Sequence, residues 1–505
     1  MLATRRNRRG QKGFALIYVT MMGAFVLIPM AGLAVDFGML YNIKARLQTS
    51  CDAAAIGAGY MLHATTNLSD PTQLAAITTA AQNFFNANYP THYFGSTVVS
   101  YNAAVASSNA GKTITVTAKA TVPMLLMRVL GITQSTVAAE AVSNVRYIAM
   151  MIVVDRSGSV TIESASATIE TALTTFVATS SSSYLVNGVD TVGMVSFGGT
   201  WNLDFAPTTN FQTASPNIQT AINNIAFDPT NEITSSTNTA EGLYQAWNQL
   251  YQMNLRGALN VIVLLTDGRP SAFTSYFTPQ SGSSCSNMTQ RAGVFETYID
   301  IGSYPFWPPS GSNDSTGLFA ETYQAIPETN YLAPNSTNCA YASNAGNVGN
   351  DLGANFPSSV GPVVNVSTSN VPYLTTPGTG VSTTNGYYNS NCTTISNPVC
   401  GRYASFNVAD NIATLIRKDT TLKPMMFVIG LNYTDNGTEP LDADWLARVA
   451  NDPNYVTVGS DTNIIAAGNS VYQTGQTPGM YCNSTMATLQ SCFAQVTSQL
   501  LRLTQ

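Results

Sequence analysis

The sequence predicts an α/β protein in three parts: a transmembrane helix, a small α+β region, and a doubly wound parallel-sheet domain broken by a long insertion. Three observations point there. Phe14 to Val35 is an uncharged apolar run, long enough as a helix to cross a hydrocarbon core of about 30 Å. From Tyr147 onward, short continuous apolar runs of strand type alternate with helical patterns, as in a sheet covered on both faces. From Pro270 to Ser405 that alternation stops for 136 residues rich in Ser, Thr, Asn, Gly and Pro. With 505 residues, more than one domain is expected, because single cores seldom grow past about 250–300 residues. The expected boundaries are a basic leader (1–13), the span (14–35), an extracytoplasmic region (36–146) and the α/β domain (147–505, insertion 270–405).

Charge orients the first part. Arg5, Arg6, Arg8, Arg9 and Lys12 carry five positive charges ahead of residue 14, so a net −6 for the chain means −11 for the rest. The basic leader should stay in the cytoplasm, which puts everything after Asp36 on the other side of a membrane crossed once. An acidic body with few Lys and Arg offers no surface for phosphates, so nucleic acid is excluded as a partner. A cleaved secretory signal is the bland alternative. Against it, the apolar run exceeds the roughly 7–15 residues of a signal core. The helical pattern also continues past the span, with Leu33, Leu40, Leu47, Ala54 and Met61 recurring every seven residues.

The following stretch predicts one strand from Thr113 to Val122, where apolar and polar residues alternate with period two. A short apolar turn, Met124 to Ile132, leads into a second β-rich run. Two resemblances attach to this half. "QKGFALIY" resembles the processing site of type IV prepilins, which implies cleavage between Gly13 and Phe14; the fifth mature position, Glu in most of that family, is Tyr18. "GLAVDFGMLYNIKARLQTSCDAAAIGAG" resembles the N-terminal region of TadE/TadG-like Flp (Tad) pilus-assembly proteins, with Asp36, Tyr41, Ala45, Arg46, Leu47, Gln48 and Asp52 matching its pattern. That resemblance covers residues 10 to 146 and implies other Tad/Flp pilus components and the membrane as partners.

In the second half, Ile148–Val154, Thr191–Phe197, Val261–Thr266 and Met425–Leu431 read as buried strands. Ile162, Ala165, Ile169, Leu173 and Phe176 follow helical spacing, as does Glu241 to Met253; helices are expected at Asn407–Asp419 and Met486–Leu503. Ligands of such sheets sit beyond the carboxyl ends of the strands, where Asp155 and Asp267 fall. Enzyme readings fail one by one. A haloacid-dehalogenase-like phosphatase needs a carboxylate where Ser157 stands. His63 and His92 both precede residue 147, which removes a subtilisin-like triad, His-based zinc sites and most general bases. "DRSGS" holds one Gly, too few for a dinucleotide or phosphate loop.

One carboxylate and two hydroxyls at alternate positions, with oxygens from neighbouring loops, suit a hard cation, Mg²⁺ or Mn²⁺. "DRSGS", "STNTAEGL" and "LLTDGRP" resemble, in order and context, the metal-ion-dependent adhesion site of von Willebrand factor type A domains. The resemblance implies a Rossmann-like fold and a metal held by Asp155, Ser157, Ser159, Thr237 and Asp267, its shell completed by the carboxylate of a protein or surface ligand. Arg156 stands where the family commonly has a small or apolar residue, and Arg269 follows the Asp-Gly.

Cys285, Cys339, Cys392, Cys400, Cys482 and Cys492 are six cysteines on the non-cytoplasmic side, and an even number there reads as disulfides. Short separations favour Cys392–Cys400 and Cys482–Cys492, leaving Cys285–Cys339. Cys51, nearer the membrane, is expected to be either packing or an intermolecular bridge. Two function classes remain: a membrane-anchored, non-enzymatic adhesion or pilus-assembly protein, and a pilin-like structural subunit or tip protein of a surface fibre.

Overall fold

The structure, a computed structural model, describes residues 11–178, 185–227, 236–267, 270–277, 291–297, 315–319, 348–351, 356–357, 398–432, 441–456 and 471–504. The chain divides into two compact units, 1–145 and 146–504.

The first unit opens with helix α1 (Gln11–Met22), a π turn over Gly23–Leu27, and the long helix α2 (Ile28–Ala64). Pro29 has no backbone N–H to donate, and the winding widens just ahead of it. The stretch from Leu16 to Ala64 contains a window of mean hydropathy 2.0 that is only 7% buried, long and apolar enough to cross a membrane. Beyond that window α2 buries one face: Ile43, Leu47, Cys51, Ala54, Ala58 and Leu62. This corrects the seven-residue repeat. Leu47 and Ala54 are buried, but Leu33 and Met61 are 51% and 42% exposed, and Leu62 takes the inward place. A straight α-helix drifts about 20° per heptad, so the true stripe follows a 3.6-residue period.

Helix α3 (Pro71–Asn88) starts where Asp70 accepts the Thr72 N–H at 2.8 Å and Pro71 fills the first turn. It packs Ile77, Ala81 and Phe85 inward, and Gly57 of α2 leaves room for the Phe84 ring. Strands β1 (Thr97–Ser108), β2 (Gly111–Pro123) and β3 (Gln134–Arg146) form a sheet in that order. β2 buries Ile114, Val116, Ala118, Ala120 and Val122, the inward half of its alternation. Lys112 is buried, and its ammonium donates to the carbonyls of Leu62 at 3.1 Å, His63 at 3.4 Å and Thr65, closing the end of α2. Cys51 is fully buried and its thiol is pushed up to about 11 by burial and by Asp52 beside it. Packing, not an intermolecular bridge, is therefore its role.

The second unit is built on β4 (Ile148–Asp155), β5 (Thr191–Phe197), β6 (Trp201–Thr208) and β7 (Leu259–Thr266). A smaller set follows: β8 (Ala272–Phe277), β9 (Arg291–Thr297), β10 (Ser315–Phe319) and β11 (Val348–Asp351). Strands β12 (Met425–Leu431) and β13 (Met480–Ser484) complete the count among the described residues. The main sheet runs β13-β12-β7-β4-β5-β6, parallel except for β6, which pairs antiparallel with β5 at one edge. Every residue of β4, β5 and β7 is buried. Alternate residues feed two cores. Met151 and Val153 face helices α7 (Thr239–Met253), α8 (Pro398–Lys418) and α9 (Ala443–Ala450). Met150, Ile152 and Val154 face α4 (Gly158–Ile162), α5 (Ser166–Leu173), α6 (Ile218–Asn223) and α10 (Leu489–Thr504).

The stretch 270–405 is not uniformly irregular. β8 to β11 form a second, antiparallel sheet in the order β10-β9-β8-β11, and α8 already begins at Pro398. Its base joins the first core: Phe273 and Phe356 are buried there, and the Phe356 ring stacks on Trp247 at 4.0 Å. Cys285, Cys339 and Cys392 lie outside the described residues. Cys482 and Cys492 are joined as a disulfide between β13 and α10, with Cα atoms 5.8 Å apart.

Candidate metal centre

Asp155 ends β4, and Asp267 follows β7 directly. These strands are neighbours at the place where winding reverses: β5 and β6 extend the sheet on one side of β4, and β7, β12 and β13 on the other. Such a switch point opens a crevice at the carboxyl ends of the strands. Neither position needs a special residue to be reached. A run of apolar side chains buried on both faces carries the chain there and stops.

Asp155 is wholly buried. Its Oδ1 accepts the Ser157 backbone N–H at 2.9 Å, and its Oδ2 accepts the Thr266 hydroxyl at 2.6 Å. Burial pushes its carboxyl above the ordinary range, while hydrogen bonds from Ser157, Thr266 and the Asp267 backbone act the other way. The charged form is thus the costly one, and a nearby cation would offset that cost. The hydroxyls of Ser157 and Ser159 are 3.1 Å apart, and Ser159 donates to Asp267 Oδ1 at 3.1 Å.

Thr237 stands in the loop before α7. Its backbone N–H donates to the Ser271 hydroxyl at 2.9 Å, and its carbonyl accepts the N–H groups of Ser271 at 2.9 Å and Ala272 at 3.2 Å. Asn238 fixes the same loop, donating through Nδ2 to Gly199 O and Thr274 Oγ1, each at 3.0 Å, and capping α7 at Glu241 N. Gly242 lets α7 press against the sheet, since a Cβ there would lie 2.6 Å from the Phe197 ring and 3.0 Å from Val153. The structure therefore links Asp155, Ser157, Ser159 and Asp267 in one hydrogen-bonded chain and straps Thr237 to the segment leaving Asp267. Gly268 and Arg269 lie outside the described residues.

The donor set fits a hard cation. It consists of carboxylates and hydroxyls only, and an octahedral Mg²⁺ shell of radius about 2.0–2.1 Å places adjacent oxygens about 2.9 Å apart, close to the two 3.1 Å separations seen. Among the described residues no three His, Cys, Asp or Glu side chains cluster, so a cation held here would need the hydroxyls as ligands.

Two supporting groups escaped sequence reasoning. Thr266 is one; it lay in view in "LLTDG" but as part of a strand. Asp204 is the other, on β6, which has no continuous apolar run to mark it. Burial raises its carboxyl above the usual range, while Ser196, Asn202 and the charge of Arg156 act the other way. Arg156 itself is buried, its backbone N–H donates to Phe197 O at 2.8 Å, and its charge acts on the buried Asp204 carboxyl. Thr266→Val keeps the side-chain volume and removes the hydroxyl that orients Asp155. It is expected to weaken Mg²⁺ binding by about 10–100-fold with the fold retained; equal affinity by calorimetry would deny Thr266 that role.

Comparison with known families finds two matches, one in each compact unit. Residues 150–293 match the family model for the von Willebrand factor type A domain. Residues 13–78 match the putative Flp pilus-assembly TadE/G-like family. A search of curated proteins finds no match. Among solved structures the chain is similar to the pilus adhesin SpaC from Lactobacillus rhamnosus GG in its open conformation (13% identity, TM-score 0.32). That alignment covers 79% of this chain, which spans about a third (33%) of the adhesin's length. It is also similar to the vWF domain of the type V pili tip protein Mfa5 from Porphyromonas gingivalis (15% identity, TM-score 0.34, covering 72% of this chain and 98% of that one). A third is the PilB minor pilin from Streptococcus sanguinis (14% identity, TM-score 0.34, 82% and 80% covered).

Proposed function

We propose that the chain is a membrane-anchored, non-enzymatic adhesion or pilus-assembly protein whose A domain grips a partner's acidic group through Mg²⁺ or Mn²⁺. Asp155, Ser157, Ser159, Thr237 and Asp267 would hold the ion, which supplies an open coordination position for an incoming carboxylate. The observation that supports this most is the Ser157–Ser159–Asp267 chain of 3.1 Å contacts at the switch point of the sheet. The two family matches support the context: a TadE/G-like segment carrying the apolar helix, then an A domain. In this reading the N-terminus is cytoplasmic, the bulk of the chain is periplasmic or extracellular, and other Tad/Flp components are partners. The proposed domain limits are those of the sequence, with the insertion taken as part of the A domain.

Intact cells should attach to their native surface in Mg²⁺, lose attachment in EDTA, and recover it when Mg²⁺ is restored. Cells carrying Ser159→Ala should stay at the EDTA level throughout. Attachment indifferent to chelation would overturn the metal reading. The same cells separate the pilin-like alternative, which the "QKGF" stretch keeps open: shearing should leave the chain in the cytoplasmic membrane rather than in the fibre fraction.

A further inference from the structure

The turn between β2 and β3 carries an apolar surface that the proposed function does not use. Leu125, Leu126, Val129, Leu130 and Ile132 are 60%, 46%, 86%, 56% and 46% exposed, within eight residues of sequence. Five exposed large apolar side chains within one short turn are more than the scattered singles of an ordinary surface and point to an interaction. Its place in the unit identifies what covers it. Leu126 packs against Gly32 of α2 so closely that a Cβ on Gly32 would lie 2.9 Å from the Leu126 Cβ. Asp36, one turn further on, is buried against the same turn. Its Oδ1 accepts the Leu125 N–H at 2.9 Å and its Oδ2 the N–H groups of Leu126 at 3.0 Å and Met127 at 2.7 Å. Gly32 belongs to the apolar run and Asp36 ends it, so the turn is pinned at the level where the helix leaves its apolar segment.

The backbone of the turn is prepared for a water-poor setting. Besides the three N–H groups held by Asp36, Met124 N–H donates to Thr133 O, Val129 to Leu126 O, Gly131 to Arg128 O and Ile132 to Met127 O, at 3.0–3.2 Å. Gly131, at φ +85°, makes the left-handed bend that permits this closure. A loop entering lipid needs internal partners for its backbone, and seven N–H groups between Met124 and Ile132 find them in the protein. Arg128 lies in the same turn, where its stem can cross apolar surface while its guanidinium reaches headgroup phosphates. On α2 the exposed Phe37 and Tyr41 follow, as aromatic residues do at a membrane boundary.

We infer that the Leu125–Ile132 turn inserts into the non-cytoplasmic leaflet of the membrane that the N-terminal helix crosses, a second point of attachment that fixes the tilt of the first unit on the bilayer. The inference rests on the reading that Phe14–Val35 spans that membrane. The test uses the full-length chain in bacterial inner membranes, with a diazirine amino acid placed singly at Phe25, Val129 or Val456. Phe25 reports the span, and Val456, 80% exposed in the second unit, reports bulk water. After illumination, lipid adducts are counted by mass spectrometry. Lipid labelling at Val129 should match Phe25 and exceed Val456 by at least about tenfold, the partition bias of a single buried apolar side chain. Lipid adducts at Phe25 with only protein or water products at Val129 would overturn the inference and leave the span standing. An absence of lipid adducts at Phe25 would remove the span, and this proposal with it.

Discussion

Replacing Asp155 with alanine is expected to abolish divalent-cation binding, lowering Mg²⁺ affinity by at least about 100-fold, while the protein stays folded. The two halves of that expectation have separate causes. Asp155 brings the only carboxylate of the "DRSGS" loop, and its Oδ1 holds the Ser157 backbone, so its loss removes both a charge and the support of a hydroxyl donor. The fold is spared because opposing costs nearly cancel. The alanine leaves the Thr266 hydroxyl without this acceptor, a loss of about 1–3 kcal/mol. It also relieves the sheet of a wholly buried carboxylate whose charged form burial disfavours. Calorimetric titration with MgCl₂, beside circular dichroism on the same sample, reads both. A folded variant that binds Mg²⁺ as well as the native chain would end the metal-site reading.

That prediction was legible in the sequence because its residues stand where a continuous apolar run stops. β4, β5, β7 and β12 were readable for the same reason: burial on both faces demands unbroken apolar residues, and few other elements do. β6 and β13 lacked the signal. Six of the eight residues of β6 are partly buried, only Phe205 is fully buried, and β13 is a five-residue edge strand containing Asn483. Edge strands need apolar side chains on one face at most, so their sequences resemble loops. The small sheet β8–β11 was hidden by its Ser, Thr and Gly content, which composition alone assigns to irregular structure. In the site, the proposed ligands were visible as a pattern of oxygens, whereas Thr266 and Asp204 act on other protein groups and follow no pattern. The seven-residue repeat of α2 erred differently. It was read from five residues, and over four heptads a helix turns far enough to carry Met61 out to solvent and Leu62 in.

Removing the Cys482–Cys492 bridge is expected to destabilise the second unit by about 3 kcal/mol, the chain-entropy value for so short a loop. The sequence separation is 10, and the bridge ties β13, an edge of the main sheet, to α10, which packs beneath it. Both partners sit in the second core, where Cys482 is 7% and Cys492 2% exposed, and Phe493 beside the bridge packs on Phe176 at 4.6 Å. A bridge so placed does more than shorten the unfolded chain. Among the described residues β13 has a strand on one side only, so without the bridge its hold on the sheet rests on five parallel-paired residues, Met480 to Ser484. The double variant Cys482→Ala/Cys492→Ala replaces two buried sulfurs with small apolar groups and leaves no unpaired thiol. Its melting temperature should fall by roughly 5–10 °C for a domain of this size. Hydrogen exchange should rise first at β13 and α10, ahead of β4 and β7, because the lost constraint is local to that edge. Affinity for Mg²⁺ should stay native, since β12 and β7 separate β13 from β4 in the sheet. A variant that melts with the native chain, or that exchanges uniformly, would show that the bridge adds nothing that packing does not already provide.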